Sequence, residues 1–154
     1  MTTMDWTQLA AGVDCPHCAP RPESTPYMDF VAALSVSSLY LAKGQRYRGA
    51  CALIFDSRHA IRADQLAQEE WLKFSADLYR AQQAVMQVAK PDHLNIALLG
   101  NTIPHLHWSI IPRYRHDPRW GRPIWEDGNV APLLLEETER TLMINELRTA
   151  LNHC

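Results

Sequence analysis

Residues 64–89, DQLAQEEWLKFSADLYRAQQAVMQVA, lie in the longest stretch of the chain free of proline and glycine. Leu66 leads in, and Trp71, Phe74, Leu78, Ala81, Val85 and Val88 then recur at steps of three or four residues, which predicts a long amphipathic helix. Asp64 is placed to cap its N-terminus, and Lys90-Pro91 stops it, because proline lacks the amide hydrogen a helix interior needs. Such a helix must lay its apolar stripe on something. The text on either side reads as short strands. LSVSSLYLAKG (34–44) alternates and turns at Gly44, ACALIFD (50–56) reads as its hairpin partner, and LNIALLG (94–100) and HLHWSII (105–111) form a second pair joined across Gly100-Asn101. Residues 1–26 are broken by Pro16, Pro20, Pro22 and Pro26 and are predicted to be irregular. Residues 116–129 form a loop rich in proline, glycine and tryptophan, and 132–151 predict a terminal amphipathic helix. This order describes one α+β domain over residues 1–154, with helices on one side of an antiparallel sheet.

A chain of 154 residues, 47% hydrophobic and 21% charged, is large enough to bury a single substantial core. A net charge of -2 excludes the electrostatic footprint of a duplex nucleic-acid binder; the one basic cluster, Arg113, Arg115, Arg119 and Arg122, suits a small anion instead. No stretch approaches the roughly 20 apolar residues that span a bilayer, and MTTMDWTQLAAGVD is acidic where a signal peptide is basic, so no membrane role and a cytoplasmic location are expected. Of the 4 cysteines, Cys15 and Cys18 form a CxxC pair, with Cys51 and Cys154 elsewhere, which is unlike a secreted disulfide framework.

The segment PHLHWSIIPRY (104–114) carries the densest chemistry. In an extended strand His105, His107 and Ser109 share one face while Leu106, Trp108 and Ile110 share the other, so the two imidazoles converge on one site and Trp108 points toward the core. Cys15-Pro16-His17-Cys18 has the two-residue gap of a zinc knuckle, and a tetrahedral ion needs two more ligands from among His17, His59, His93, His105 and His107. A redox role for the pair is the weaker reading, because the motif lies among prolines rather than at the start of a helix.

The run Gly100-Asn101-Thr102-Ile103-Pro104-His105-Leu106-His107-Trp108-Ser109-Ile110-Ile111-Pro112-Arg113 resembles the signature of the histidine triad (HIT) superfamily, His-x-His-x-His followed by apolar residues. Gly49-Ala50-Cys51-Ala52-Leu53-Ile54-Phe55, leading to His59 and a long helix, resembles that family's second strand and following loop. The resemblance implies a five-stranded antiparallel sheet with a long helix, assembled as a two-fold homodimer. The N-terminal CxxC is similar to that of small bacterial HIT proteins and of the galactose-1-phosphate uridylyltransferase branch. On that likeness Cys15, Cys18, His59 and His105 are the expected zinc ligands, a closed set implying a structural ion that anchors residues 1–26.

The same resemblance casts His107 as the nucleophile that attacks the α-phosphorus of a nucleoside phosphate, such as a dinucleoside polyphosphate, to form a nucleotidyl-histidine. Asn101 and Thr102 are expected to donate hydrogen bonds to phosphoryl oxygens, with Arg113 and Trp120 as further substrate contacts and Trp125 as a weaker one. Ser109 stands where the family has its third histidine. A serine cannot serve as a cation or acid near neutral pH, which favours leaving groups that are already stable as phosphates. Two competing readings remain: a hydrolase whose zinc is itself catalytic, and a nucleotide-binding module that lost turnover with the third histidine.

Overall fold

The computed structural model describes residues 5–124 and 133–153. In chain order these form helix α1 (Trp6–Ala10), strands β1 (Met28–Ala33), β2 (Ser37–Ala42) and β3 (Cys51–Phe55), a 3₁₀ turn (Ala63–Gln65), helix α2 (Gln68–Ala89), strands β4 (His93–Ala97) and β5 (His107–Arg113), and helix α3 (Glu137–Leu151). The strands make one sheet in the order β1-β2-β3-β5-β4, and every neighbouring pair is antiparallel. This is the α+β architecture expected from the sequence, with five strands.

Residues paired across neighbouring strands project to the same side, so the register sorts the side chains into two faces. Leu39, Leu53 and Trp108 form one row, and Leu41, Cys51, Ile110 and Ile96 the next. These rows meet α2 and α3 in a core that includes Phe55, Phe74, Ala81, Val85, Met143 and Leu147. Phe55 and Phe74 pack edge to face at 5.3 Å, and Trp71 lies 5.7 Å from Trp108. Removing a side chain as large as Phe55 from water contributes about 1.5–3 kcal/mol, so this packing holds the sheet against α2. The opposite face carries Ser38, Ile54 and His107 in one row and Tyr40, Ala52, Ser109 and Ala97 in the next. The N-terminal segment crosses this face. Arg21 fastens it by pairing with Asp56 and donating to Tyr40 Oη at 3.3 Å and to the His17 carbonyl at 2.6 Å.

Several boundaries differ from the sequence reading. Asp64 does not cap the long helix, which begins at Gln68. Instead Asp64 pairs with Arg62, and Gln65 Oε1 accepts from the amides of Ile61 and Arg62 at 2.8 and 3.1 Å, closing a separate 3₁₀ turn. The helix is capped from inside, where Glu70 accepts from the Ala67 amide at 2.9 Å. The predicted terminal helix over 132–151 begins only at Glu137, because Leu134 bridges to Gly44 and the Leu133 carbonyl accepts from Gln45 at 2.7 Å. The histidine strand begins at His107 rather than His105, since Leu106 turns aside to pair with Ala60 and Phe55. Residues 1–26, read as irregular, hold the short helix α1. Trp125, the end of the 116–129 loop and Cys154 lie outside the described residues. Among the described residues, no helix is long and apolar enough to cross a membrane.

Candidate metal centre and active site

Cys15 and Cys18 of the N-terminal segment, His59 after β3 and His105 before β5 come together from three separate places in the chain, with their ligand atoms all within 4.8 Å of one another. The donor set fits a zinc ion. Bonds of about 2.3 Å to sulfur and 2.0–2.1 Å to nitrogen at tetrahedral angles put sulfur and nitrogen about 3.6 Å apart. The Sγ to Nδ1 separations are 3.5 Å for Cys15 and His105, 3.7 Å for Cys18 and His105, and 3.4 Å for Cys18 and His59.

Both imidazoles are oriented by backbone. His105 donates from Nε2 to the Phe55 carbonyl at 2.7 Å, and His59 donates from Nε2 to the Ala10 carbonyl at 3.1 Å. A carbonyl can only accept, so each ring carries its proton on Nε2 and turns the Nδ1 lone pair toward the sulfurs. Burial, with smaller contributions from His59, Arg21 and His107, takes His105 down to about 4 even though its carbonyl partner opposes this, so the ring is neutral at pH 7. Burial, followed by the neighbouring Cys15, pushes the Cys18 thiol up to about 11, so its thiolate needs a cation beside it. Gly12 closes the site at φ +83°, where its backbone runs so near the His59 ring that an added Cβ would stand 3.3 Å from Cγ.

His107 uses the opposite nitrogen. Its Nδ1 donates to the carbonyl of His105 at 2.7 Å, which leaves the lone pair on Nε2. The ring lines a cavity of about 210 Å³ together with Ser109, His17, Leu99, Gly100, Asn101, Thr102 and Ile103. Asn101 and Thr102 are exposed on the β4–β5 connection, and Ser109 sits one pleat beyond His107 on the same face. Trp108 points the other way, against Trp71 and Phe74.

Two residues expected to contact substrate are not brought to this cavity. Arg113 lies six residues further along β5, about 20 Å from His107 at 3.3 Å per residue. It is 3% exposed, and its guanidinium is engaged by Asp117, by Asn95 at 2.7 Å and by the carbonyls of Arg119 and Arg122 at 2.7 and 3.0 Å. The fork thus holds the turn after β5 and has no free edge for phosphate. Trp120 lines a different, larger cavity of about 690 Å³ at the β4 edge, with His93, Asn95 and Arg113. Conversely, His17, weighed from sequence only as a metal ligand, faces His107 with ring centroids 5.1 Å apart and planes at 84°. Burial, then the proximity of His107, His105 and Arg21, pushes its imidazole down to about 3.

Comparison with known proteins agrees with this geometry. The profile of the HIT domain matches residues 46–116, which span β3, α2, β4 and β5. A histidine triad protein from Bradyrhizobium japonicum shares 30% identity over 80% of this chain and 90% of its own, with a TM-score of 0.74. The chain belongs to the histidine triad family. A Zn-bound histidine triad family protein from Mycobacterium smegmatis has the same fold, with a TM-score of 0.58 at 20% identity over 80% of this chain and 84% of its own. So does Plasmodium falciparum diadenosine triphosphate hydrolase, with a TM-score of 0.60 at 15% identity over 80% and 76% respectively. The search of curated proteins found no match.

Proposed function

We propose that this protein is a nucleotide hydrolase or nucleotidyltransferase acting on nucleoside polyphosphates, dinucleoside polyphosphates among them, through a covalent nucleotidyl-histidine at His107. The observation that carries the reading is the 2.7 Å tie from His107 Nδ1 to the His105 carbonyl, which sends the Nε2 lone pair to the cavity. In the first step Nε2 attacks the α-phosphorus, a P–N bond forms, and the P–O bond to the leaving phosphate breaks with its electron pair on the departing oxygen. In the second, water or an ionised phosphate oxygen attacks the same phosphorus, a new P–O bond forms, and the P–N bond breaks with its electron pair returning to Nε2; where water attacks, its proton passes to solvent. Asn101 and Thr102, with the nearby amides, supply donors to the nonbridging oxygens, and Ser109 contributes one hydroxyl on the leaving-group side. At about 210 Å³ the cavity suits a phosphoryl group and its neighbours, with the base outside.

The zinc on this reading is structural. Two cysteines and two histidines complete a tetrahedron and leave no position for an attacking water, which weighs against a catalytic ion. The Zn-bound relative from Mycobacterium smegmatis supports the metal's identity, and the diadenosine triphosphate hydrolase from Plasmodium falciparum supports the substrate class. Cys15, Cys18 and Cys51 form no disulfide among the described residues, which suits a reducing cytoplasm. A homodimer is supported by Leu72, Tyr79 and Met86, which stand exposed at seven-residue steps along α2, beside the unpaired edge of β4.

Ser109 favours one second reading, a module that binds nucleotide with little turnover. Incubation with a panel of nucleoside polyphosphates followed by intact-mass measurement separates the two. A mass increase of one nucleotidyl group in the wild type, absent from His107→Ala, supports the enzyme; nucleotide affinity without any adduct supports the module.

A further inference from the structure

The knuckle Cys15-Pro16-His17-Cys18 carries a third side chain of chemical interest, and the fold turns it away from the metal ligands. His17 is not among the four clustered ligand atoms. It lines the His107 cavity alongside Ser109, Asn101 and Thr102. At 9% exposure it is nearly buried, and its Nδ1 has no hydrogen-bond partner among the described residues. Its backbone is held from both sides, because the neighbouring cysteines belong to the metal cluster and Arg21 donates to the His17 carbonyl at 2.6 Å. A polar ring ordered at this expense, whose Nδ1 makes no hydrogen bond among the described residues and has the Pro16 backbone as its one polar influence beyond the neighbouring charges, is what a binding contact looks like before its ligand arrives.

Ser109 explains the space available. It is flanked in register by Ala52 and Ala97, so this part of the sheet face is lined by small side chains. The volume that a longer side chain at position 109 would take stays open beside His107, and His17 borders it from the knuckle side. The geometry points to His17 as a substrate contact, its imidazole N–H donating a hydrogen bond to a phosphoryl oxygen of the nucleotide held at His107. This rests on the nucleotide reading above. The contact is hydrogen bonding alone, with no proton transferred, so a glutamine of similar reach can replace it. A phenylalanine can fill the ring's place against His107 but cannot donate.

The test compares His17→Gln, His17→Phe and His17→Phe/Ser109→His with wild type, all verified to hold equal zinc and to melt within a few degrees of one another. Diadenosine triphosphate is the probe, read as the rate of adduct formation and, separately, as affinity in a His107→Ala background where no adduct can form. Loss of one donor to a charged oxygen predicts a 10- to 100-fold slower rate and weaker affinity for His17→Phe. His17→Gln should stay within about threefold of wild type, and Ser109→His should recover part of the loss. Equal behaviour of the Gln and Phe variants, whether both intact or both impaired, overturns the contact. Should the wild type form no adduct, the covalent reading falls while the affinity series still decides for or against His17.

Discussion

Asp77 offers a stability prediction whose size can be worked from its contacts. It lies midway along α2 and is only 2% exposed. One carboxylate oxygen accepts from the Ser35 amide at 3.1 Å and the Ser35 hydroxyl at 2.8 Å, and the other accepts from the Val36 amide at 2.9 Å and the Ser37 hydroxyl at 2.7 Å. The helix therefore ties down the turn between β1 and β2. In Asp77→Ala the hydroxyls can rotate to other acceptors but the two amides cannot, and a buried orphan amide costs about 1–3 kcal/mol. The two together cost about 2–6 kcal/mol, or roughly 4–24 °C in melting temperature for a chain of this length. Asp77→Asn keeps one accepting oxygen but turns an NH₂ toward the other amide, so about half that loss is expected. Urea titration at matched zinc content should show the midpoint fall with an unchanged slope. A loss below about 1 kcal/mol for Asp77→Ala, at constant slope, would refute the assignment of Asp77 as the turn's anchor.

About one zinc per chain should copurify by elemental analysis, and Cys15→Ser/Cys18→Ser should remove it and lower the melting temperature; metal-free wild type, purified without chelator, would contradict the cluster. Light scattering should give a mass twice the 17.6 kDa of one chain, and Tyr79→Lys/Met86→Glu should return it to one. Arg113→Ala should cost stability by about 3–5 kcal/mol, since it abandons a buried Asp117, while leaving nucleotide affinity unchanged per folded molecule. Asp29 is held below the usual carboxylate range, because donors from Ser24, Lys43 and Arg140 outweigh the upward push of its burial. A depressed folded value stabilises above the unfolded value and is lost as pH falls through the folded one. The stability gap between wild type and Asp29→Asn should therefore be steady above about pH 5 and close below pH 3.8.

Legibility followed periodicity. The long helix and four of the strands could be read because their apolar residues repeat at fixed steps, and the two faces of the histidine strand followed from alternation alone. β1 was missed because a shift in register between Phe30 and Ala32 breaks its alternation, and because Asp29, at a position that looks solvent-facing, finds Lys43 and Arg140 far along the chain. Asp77 escaped for the same reason: its partners lie about 40 residues upstream. The arginine cluster after β5 suggested an anion site until folding set Asp117 against Arg113 and Asp92 against Arg115, neutralising charges that look unopposed in the sequence. The spacing of Cys15 and Cys18 pointed to a metal-ligating pair, and the fold brings His59 and His105 to it, but nothing local says which way a residue between two cysteines points, and His17 was assigned no role beyond ligand candidate.

The three histidines of the site share one device and differ in which end of the ring it grips. His59 and His105 are tethered to carbonyls at Nε2 and present Nδ1, the nitrogen nearer the backbone, to the cysteine sulfurs. His107 is tethered at Nδ1 and presents Nε2, the nitrogen farther out, to the cavity. Two residues apart on one strand approach, the same side chain thus serves either as a ligand drawn inward or as a lone pair projected outward. The two roles are also joined by a single residue. The carbonyl that orients His107 belongs to His105, whose ring sits with the two cysteine sulfurs and whose Nε2 is fixed to Phe55. On the proposed reading zinc never touches the nucleotide, yet it holds the peptide that sets the aim of the nucleophile. Metal loss should then slow adduct formation by misplacing one carbonyl rather than by removing a catalytic group.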